Sequence, residues 1–166
     1  MKQIFLLIPV ILFSNIILAQ QTMYYKGEWT TKNKTELFTG LCKITILKNG
    51  SVSGDLLWTY ISTDSTSQEL LKLYEGKKGK KGIEFVEGYY DASTHDMTFT
   101  GMKKNDPDNV IGTDKYTLKL SRDGNILYGI TSANETNAGM FYAVKVNAAA
   151  AQKEFAAAKS KLPVGE

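Results

Sequence analysis

The sequence predicts an all-β protein, an antiparallel meander closed into a barrel of about eight strands and followed by one helix. Three observations carry that reading. From Tyr24 to Val146 the chain alternates short apolar runs with turn residues. A hairpin unit appears twice, once around Asn49-Gly50 and once around Asp123-Gly124, each between alternating strands. Asn-Gly and Asp-Gly suit a type I′ turn, which needs φ > 0 at both central residues and twists as antiparallel strands do. After Val146 the composition turns alanine-rich.

The chain opens with Lys2, an apolar run from Ile4 to Phe13, a polar break at Ser14-Asn15, and Ile16-Ile17-Leu18-Ala19. That order matches an export signal, so residues 1–19 are expected to be cleaved near Ala19, leaving a periplasmic or extracellular protein. One domain is expected over 22–146. The net charge of +3 falls to +2 when Lys2 leaves, too little to imply nucleic acid. Cys42 is the single cysteine, so the fold must stand on packing without a disulfide.

Along the mature chain, Tyr24 to Thr31 reads as the first strand. Leu37 to Leu47 and Ser51 to Ile61 form the Asn-Gly hairpin, with Val52, Leu56, Trp58 and Tyr60 on one face at period two. Segment 67–75 carries both helix and strand signals: Thr66-Ser67-Gln68-Glu69 has capping-box spacing, yet the apolar alternation favours a strand. Gly82 to Asp91 and Met97 to Lys103 pair across the turn 92–96. Tyr116 to Leu120 and Asn125 to Thr131 form the Asp-Gly hairpin, and Gly139 to Val146 closes the set. Asn147 is placed to cap a helix over 147–162 whose narrow face is Ala151, Phe155, Ala158 and Leu162. Sequential hairpins favour a meander over the crossings of a two-sheet sandwich.

Gly27-Glu28-Trp29 in the first strand is similar to the Gly-x-Trp signature of the calycin barrels: lipocalins, avidin-type proteins and fatty-acid-binding proteins. Thr113-Asp114-Lys115-Tyr116 resembles the lipocalin Thr-Asp-Tyr motif with one residue inserted. The resemblance implies a closed barrel with Trp29 at its floor. The family's Arg near the end of the barrel has Lys145 as its nearest counterpart, and the family's disulfide has none.

Chemical motifs are sparse. His95 beside Asp96 is the one histidine and lies in a turn, where a solvated role is expected over general-base work. One His and one Cys do not make a metal site, and no cofactor is expected. Asp106 and Asp108 concentrate oxygens as calcium ligands do, but Asp, Asn and Pro are also ordinary turn residues. Lys77, Lys78, Lys80 and Lys81 form a basic loop open to weak contact with an anionic surface, or simply solubilising.

The aromatic residues lead to the functional expectation. Trp58, Tyr60, Phe85, Phe99 and Tyr128 fall on the apolar phase of their strands, and Glu87 shares a phase with Ile83, Phe85 and Tyr89. An inward carboxylate would need a partner or a ligand. The expected protein is a non-enzymatic exported barrel binding a small, largely apolar or amphipathic ligand through Trp58, Tyr60, Phe85, Glu87, Phe99 and Tyr128. The alternative is a filled barrel or sandwich acting as an interaction module of the cell envelope.

Overall fold

A computed structural model describes residues 20–132 and 138–162 of the 166-residue chain; the expected export signal lies outside the described residues. The strands are β1 (Gln21–Thr31), β2 (Glu36–Ile46), β3 (Ser51–Thr63), β4 (Lys81–Asp91), β5 (Asp96–Asn105), β6 (Lys115–Leu120), β7 (Ile126–Ser132) and β8 (Ala138–Lys145). Each pairs antiparallel with the next, and β8 returns to β1, so the sheet is a closed up-and-down barrel. Two helices accompany it: α1 (Gln68–Glu75) between β3 and β4, and α2 (Ala148–Lys159) after β8. The segment is thus a helix, against the strand favoured at 67–75, and it starts one residue beyond the Thr66 box: Leu71 N–H bonds the Ser67 carbonyl, which makes Ser67 the N-cap.

The two Gly hairpins form, with Ile46 opposite Val52 and Leu120 opposite Leu127. Their turns differ from the type I′ expectation. Only Gly50 (φ 86°) and Gly124 (φ 71°) adopt positive φ, while Asn49 and Asp123 do not. Gly50 N–H bonds the Leu47 carbonyl at 2.9 Å and Gly124 N–H the Ser121 carbonyl at 2.8 Å, so each glycine ends a type I turn in the left-handed region. Asn49 and Asp123 spend their side chains locally instead, accepting from the backbone N–H groups of Ser51 and Asn125.

The two ends of the barrel are unlike. At one end lie the tight turns and a filled interior. Met23, Tyr25, Ile44, Ile46, Val52, Met97, Leu118, Leu120 and Leu127 are buried there, and the Tyr25 hydroxyl donates to the Gly124 carbonyl at 3.0 Å. At the other end emerge the long connections 64–80 and 106–114. Cys42 is buried in the wall and its thiol pKa is pushed up by burial, which makes it a core group and not a reactive one.

A second, smaller core lies outside the barrel. Ala151, Phe155 and Ala158 of α2 cover Tyr24, Leu41, Leu57 and Ile83 on the outer faces of β1 to β4. Asn147 caps the helix by accepting from Ala149 and Ala150 N–H. Lys26–Glu154 (3.2 Å) fastens its middle and Lys159–Asp55 (2.8 Å) its C-terminal end. Phe155 meets Tyr24 edge to face at 6.4 Å and is only 5% exposed. Phe155→Ala should therefore cost about 3 kcal/mol in urea unfolding, the range for a buried Phe, whereas a solvated tail would lose under about 0.5 kcal/mol.

Candidate functional site

Above the filled floor, the end with the long connections holds a cavity of about 270 Å³. Its walls come from Trp29 of β1, Glu36 and Phe38 of β2, Trp58 of β3, Tyr74 of α1, Glu84 of β4, and Tyr116 of β6. Lys77 and residues 109–112 with Asp114 complete the rim. Trp58 stands between Gly40 on β2 and Gly82 on β4 in the strand register. Its indole meets Phe141 at 5.8 Å, edge to face.

Glu84 is the distinctive group. It is 1% exposed, and a barrel interior leaves its charge without water. Its Oε2 accepts from the Tyr116 hydroxyl at 2.5 Å and its Oε1 from the Asp114 N–H at 2.8 Å. The Trp58 indole N–H approaches the same carboxylate. These donors favour the ionised form, but burial outweighs them and raises the pKa to about 7. Asp114, half-buried beside it, is raised to about 6 by desolvation, opposed by a bond from Thr131. Thr131 in turn accepts from Trp29 Nε1 at 2.5 Å, so Trp29, Thr131, Asp114, Glu84 and Tyr116 form one continuous polar network. Burial and the adjacent carboxylates push the Tyr116 hydroxyl well above its ordinary pKa, which keeps it a donor.

The backbone makes room for this carboxylate at Gly101 of β5. A Cβ there would overlap Glu84 Oε1, so no larger residue fits without moving it. The β4–β5 pairing also shifts register between Phe85 and Val86, a bulge directly beside Glu84. At the rim, Tyr74 stacks on Tyr60 at 5.5 Å and is raised to about 12 by burial and by Glu36. Lys77 lies 5.2 Å over the Tyr74 ring and donates to the Asn109 carbonyl at 2.7 Å.

The sequence-expected site residues separate into three groups. Trp58 lines the cavity. Tyr60 and Phe99 point inward but belong to the packed core; Phe99 packs on Tyr116 at 4.6 Å, and burial pushes the Tyr60 hydroxyl above its ordinary pKa. Phe85, Glu87 and Tyr128 lie on the outer surface, which corrects their expected inward phase. Phe85 packs beside α2 under Lys103 and Lys159, Glu87 is exposed, and Tyr128 is 43% exposed opposite Tyr142. On β4 the inward set is Glu84 and Val86, one residue out of step with the expectation, because residues opposite Leu56 and Gly54 share their face. Trp29 lines the cavity instead of the floor that the family resemblance implies, and Tyr25 occupies the deeper position.

The remaining candidates lie elsewhere or are engaged. His95 Nδ1 faces the Tyr90 hydroxyl at 3.0 Å at the tight-turn end, remote from the cavity. Asp106 holds the connection 106–114 by accepting from Val110 and Ile111 N–H, each at 2.8 Å, and pairs with Lys104. Asp108 pairs with Lys80. Among the described residues no three His, Cys, Asp or Glu side chains converge on a metal-sized site.

The raised Glu84 pKa fixes the sign of a pH dependence. Folded Glu84 keeps its proton between about 4.5 and 7, where the unfolded chain loses it, so its stabilising share is full below the lower value and is lost as pH rises to the upper. Asp114 acts the same way over a lower window, from 3.8 to about 6. The unliganded protein should thus unfold in less urea at pH 7.5 than at pH 5. The difference should be on the order of 3 kcal/mol for the coupled pair. Glu84→Gln should remove most of it, and Gly101→Ala should destabilise the protein by about 1–3 kcal/mol through the displaced carboxylate.

No protein-family model matches the chain, and neither a curated protein nor a solved structure is significantly similar to it. Its architecture, an eight-stranded up-and-down barrel with a C-terminal helix, is consistent with a calycin-like fold.

Proposed function

We propose that this protein is an exported, non-enzymatic barrel that binds one small amphipathic ligand at its open end. The observation that carries the reading is the division of the interior. The tight-turn end is packed solid, whereas the opposite end leaves about 270 Å³ walled by five aromatic side chains and a few convergent polar groups. That lining matches small-molecule sites, which are mostly apolar with a few oriented polar contacts. The volume is at the lower end of such sites and suits a ligand of one ring with a short polar arm. The apolar run of residues 4–13 and the small residue Ala19 support export.

One observation favours the alternative of an interaction module. The outer faces of β7 and β8 expose Tyr128, Ile130, Met140, Tyr142 and Val144 side by side, away from α2.

Native and denaturing mass spectra of the purified protein compare the two readings. A co-purifying small mass, lost on denaturation, is expected from the wild type and from Tyr142→Ser. Trp58→Ala should lose it, with at least tenfold weaker rebinding. Retention by Trp58→Ala would place the ligand outside the cavity.

A further inference from the structure

Resting on the reading of the open end as a ligand pocket, we infer that its ligand is an organic cation, an amine or quaternary ammonium on a small apolar body. The ammonium would be held between the Glu84 carboxylate and the aromatic wall. The charge balance of the lining is the first argument. Glu36, Glu84 and Asp114 supply three carboxylates, against Lys77 as the lining cation. The Lys77 ammonium is committed at the rim, to the Asn109 carbonyl and the Tyr74 ring, and does not neutralise the interior.

The second argument is Glu84 itself. Its partners are the Tyr116 hydroxyl, the Asp114 N–H and the Trp58 indole, all neutral donors. Among the described residues no Lys or Arg pairs with it. A buried carboxylate is ordinarily matched by a cation, and an arriving ammonium would complete that pairing. The third argument is the wall. Trp29, Phe38, Trp58, Tyr74 and Tyr116 present π-systems around the carboxylates, and such rings attract a desolvated cation over their faces. An anionic ligand would face the same carboxylates at close range and be repelled.

Cation binding would draw Glu84 into its ionised form and so release a proton. The groups facing Glu84 are Cys42 from β2, Asp114 from the connection 106–114, and Tyr116 from β6. Glu36, Tyr74 and Lys77 stand further out. Lys104 of β5 lies opposite Glu84 in register, but its ammonium is held by Asp106, Asn109 and the Ile111 carbonyl. Of these, Asp114 titrates below Glu84 and reinforces the same direction. Affinity for a cation should fall as pH drops through the range in which both take up protons.

Isothermal titration of the whole purified protein with three probes of one shape tests this: 2-phenylethylamine, 2-phenylethanol and phenylacetate. At pH 7.5 the amine should bind at least tenfold tighter than the alcohol, and phenylacetate should not bind. Lowering the pH to 5.5 should weaken the amine at least fivefold and leave the alcohol unchanged. Glu84→Gln should cost the amine tenfold or more and spare the alcohol, and Asp114→Asn serves as a second variant if the first melts early. Equal binding of amine and alcohol, or preferred binding of phenylacetate, overturns the cation while leaving the pocket intact. Binding by none of the three overturns the pocket reading as well.

Discussion

The return of β8 to β1 is the constraint on which the rest of this structure depends. Each of these strands would otherwise be an open edge, with a row of unpaired backbone donors and acceptors exposed to other chains. Closure also defines an inside, and without an inside no residue of the meander has a reason to be buried. The join is close. Gly27 pairs with Ala143, and a Cβ at Gly27 would run into the Tyr142 carbonyl and the Ala143 backbone. The glycine of the Gly-x-Trp stretch thus serves the seam itself. Two residues on, Trp29 reaches into the interior and anchors the polar network through Thr131.

Strand order and the C-terminal helix are legible in the sequence because they follow from local signals: glycine turns, period-two runs, an asparagine cap. Which face of each strand points inward is less legible. Alternation identifies the inside only when the outside is polar, and α2 breaks that condition. By covering β1 to β4 it makes Leu57, Ile83 and Phe85 apolar on the outer face. On β4 the apolar phase is therefore the wrong one, and the inward carboxylate is Glu84, not Glu87. Exposed Tyr128 misleads for a different reason, since β7 and β8 carry apolar side chains outward without any cover among the described residues.

The site was partly readable. Trp58 follows from its period-two partners Val52, Leu56 and Tyr60. Asp114 and Tyr116 lie within the Thr113 to Tyr116 stretch noted for its family likeness, although nothing local ties them to a carboxylate thirty residues earlier. Glu84 could be found only by pairing β4 against β3, where it falls opposite Leu56 and hence inside. A second clue was Gly101, a glycine in mid-strand of the kind that marks a close approach. Neither clue works without the sheet register, which is a long-range property. Even a correct turn residue did not supply it, because Gly50 and Gly124 close type I turns with one positive-φ residue each.

Position 84 breaks the rule that its neighbours keep. Leu56 opposite it and Val86 beyond it are buried aliphatic residues, and a third would pack there without any penalty of ionisation. A glutamine would keep the shape and carry no charge, but its amide nitrogen cannot accept, so only one of the two positions that now take the Asp114 N–H and the Tyr116 hydroxyl would still do so. The carboxylate instead costs stability near neutral pH, needs Gly101 to accommodate it, and recruits Tyr116, Trp58 and the Asp114 backbone to hold one orientation. Violations of this kind concentrate where a protein does its work, since only a function offsets what packing would refuse. The floor of the same barrel, where among the described residues the buried core is apolar side chains with no carboxylate, shows what this sequence builds where stability alone decides. The contrast between the two ends, inside one sheet and over the same strands, is the strongest physical reason to look for chemistry at Glu84.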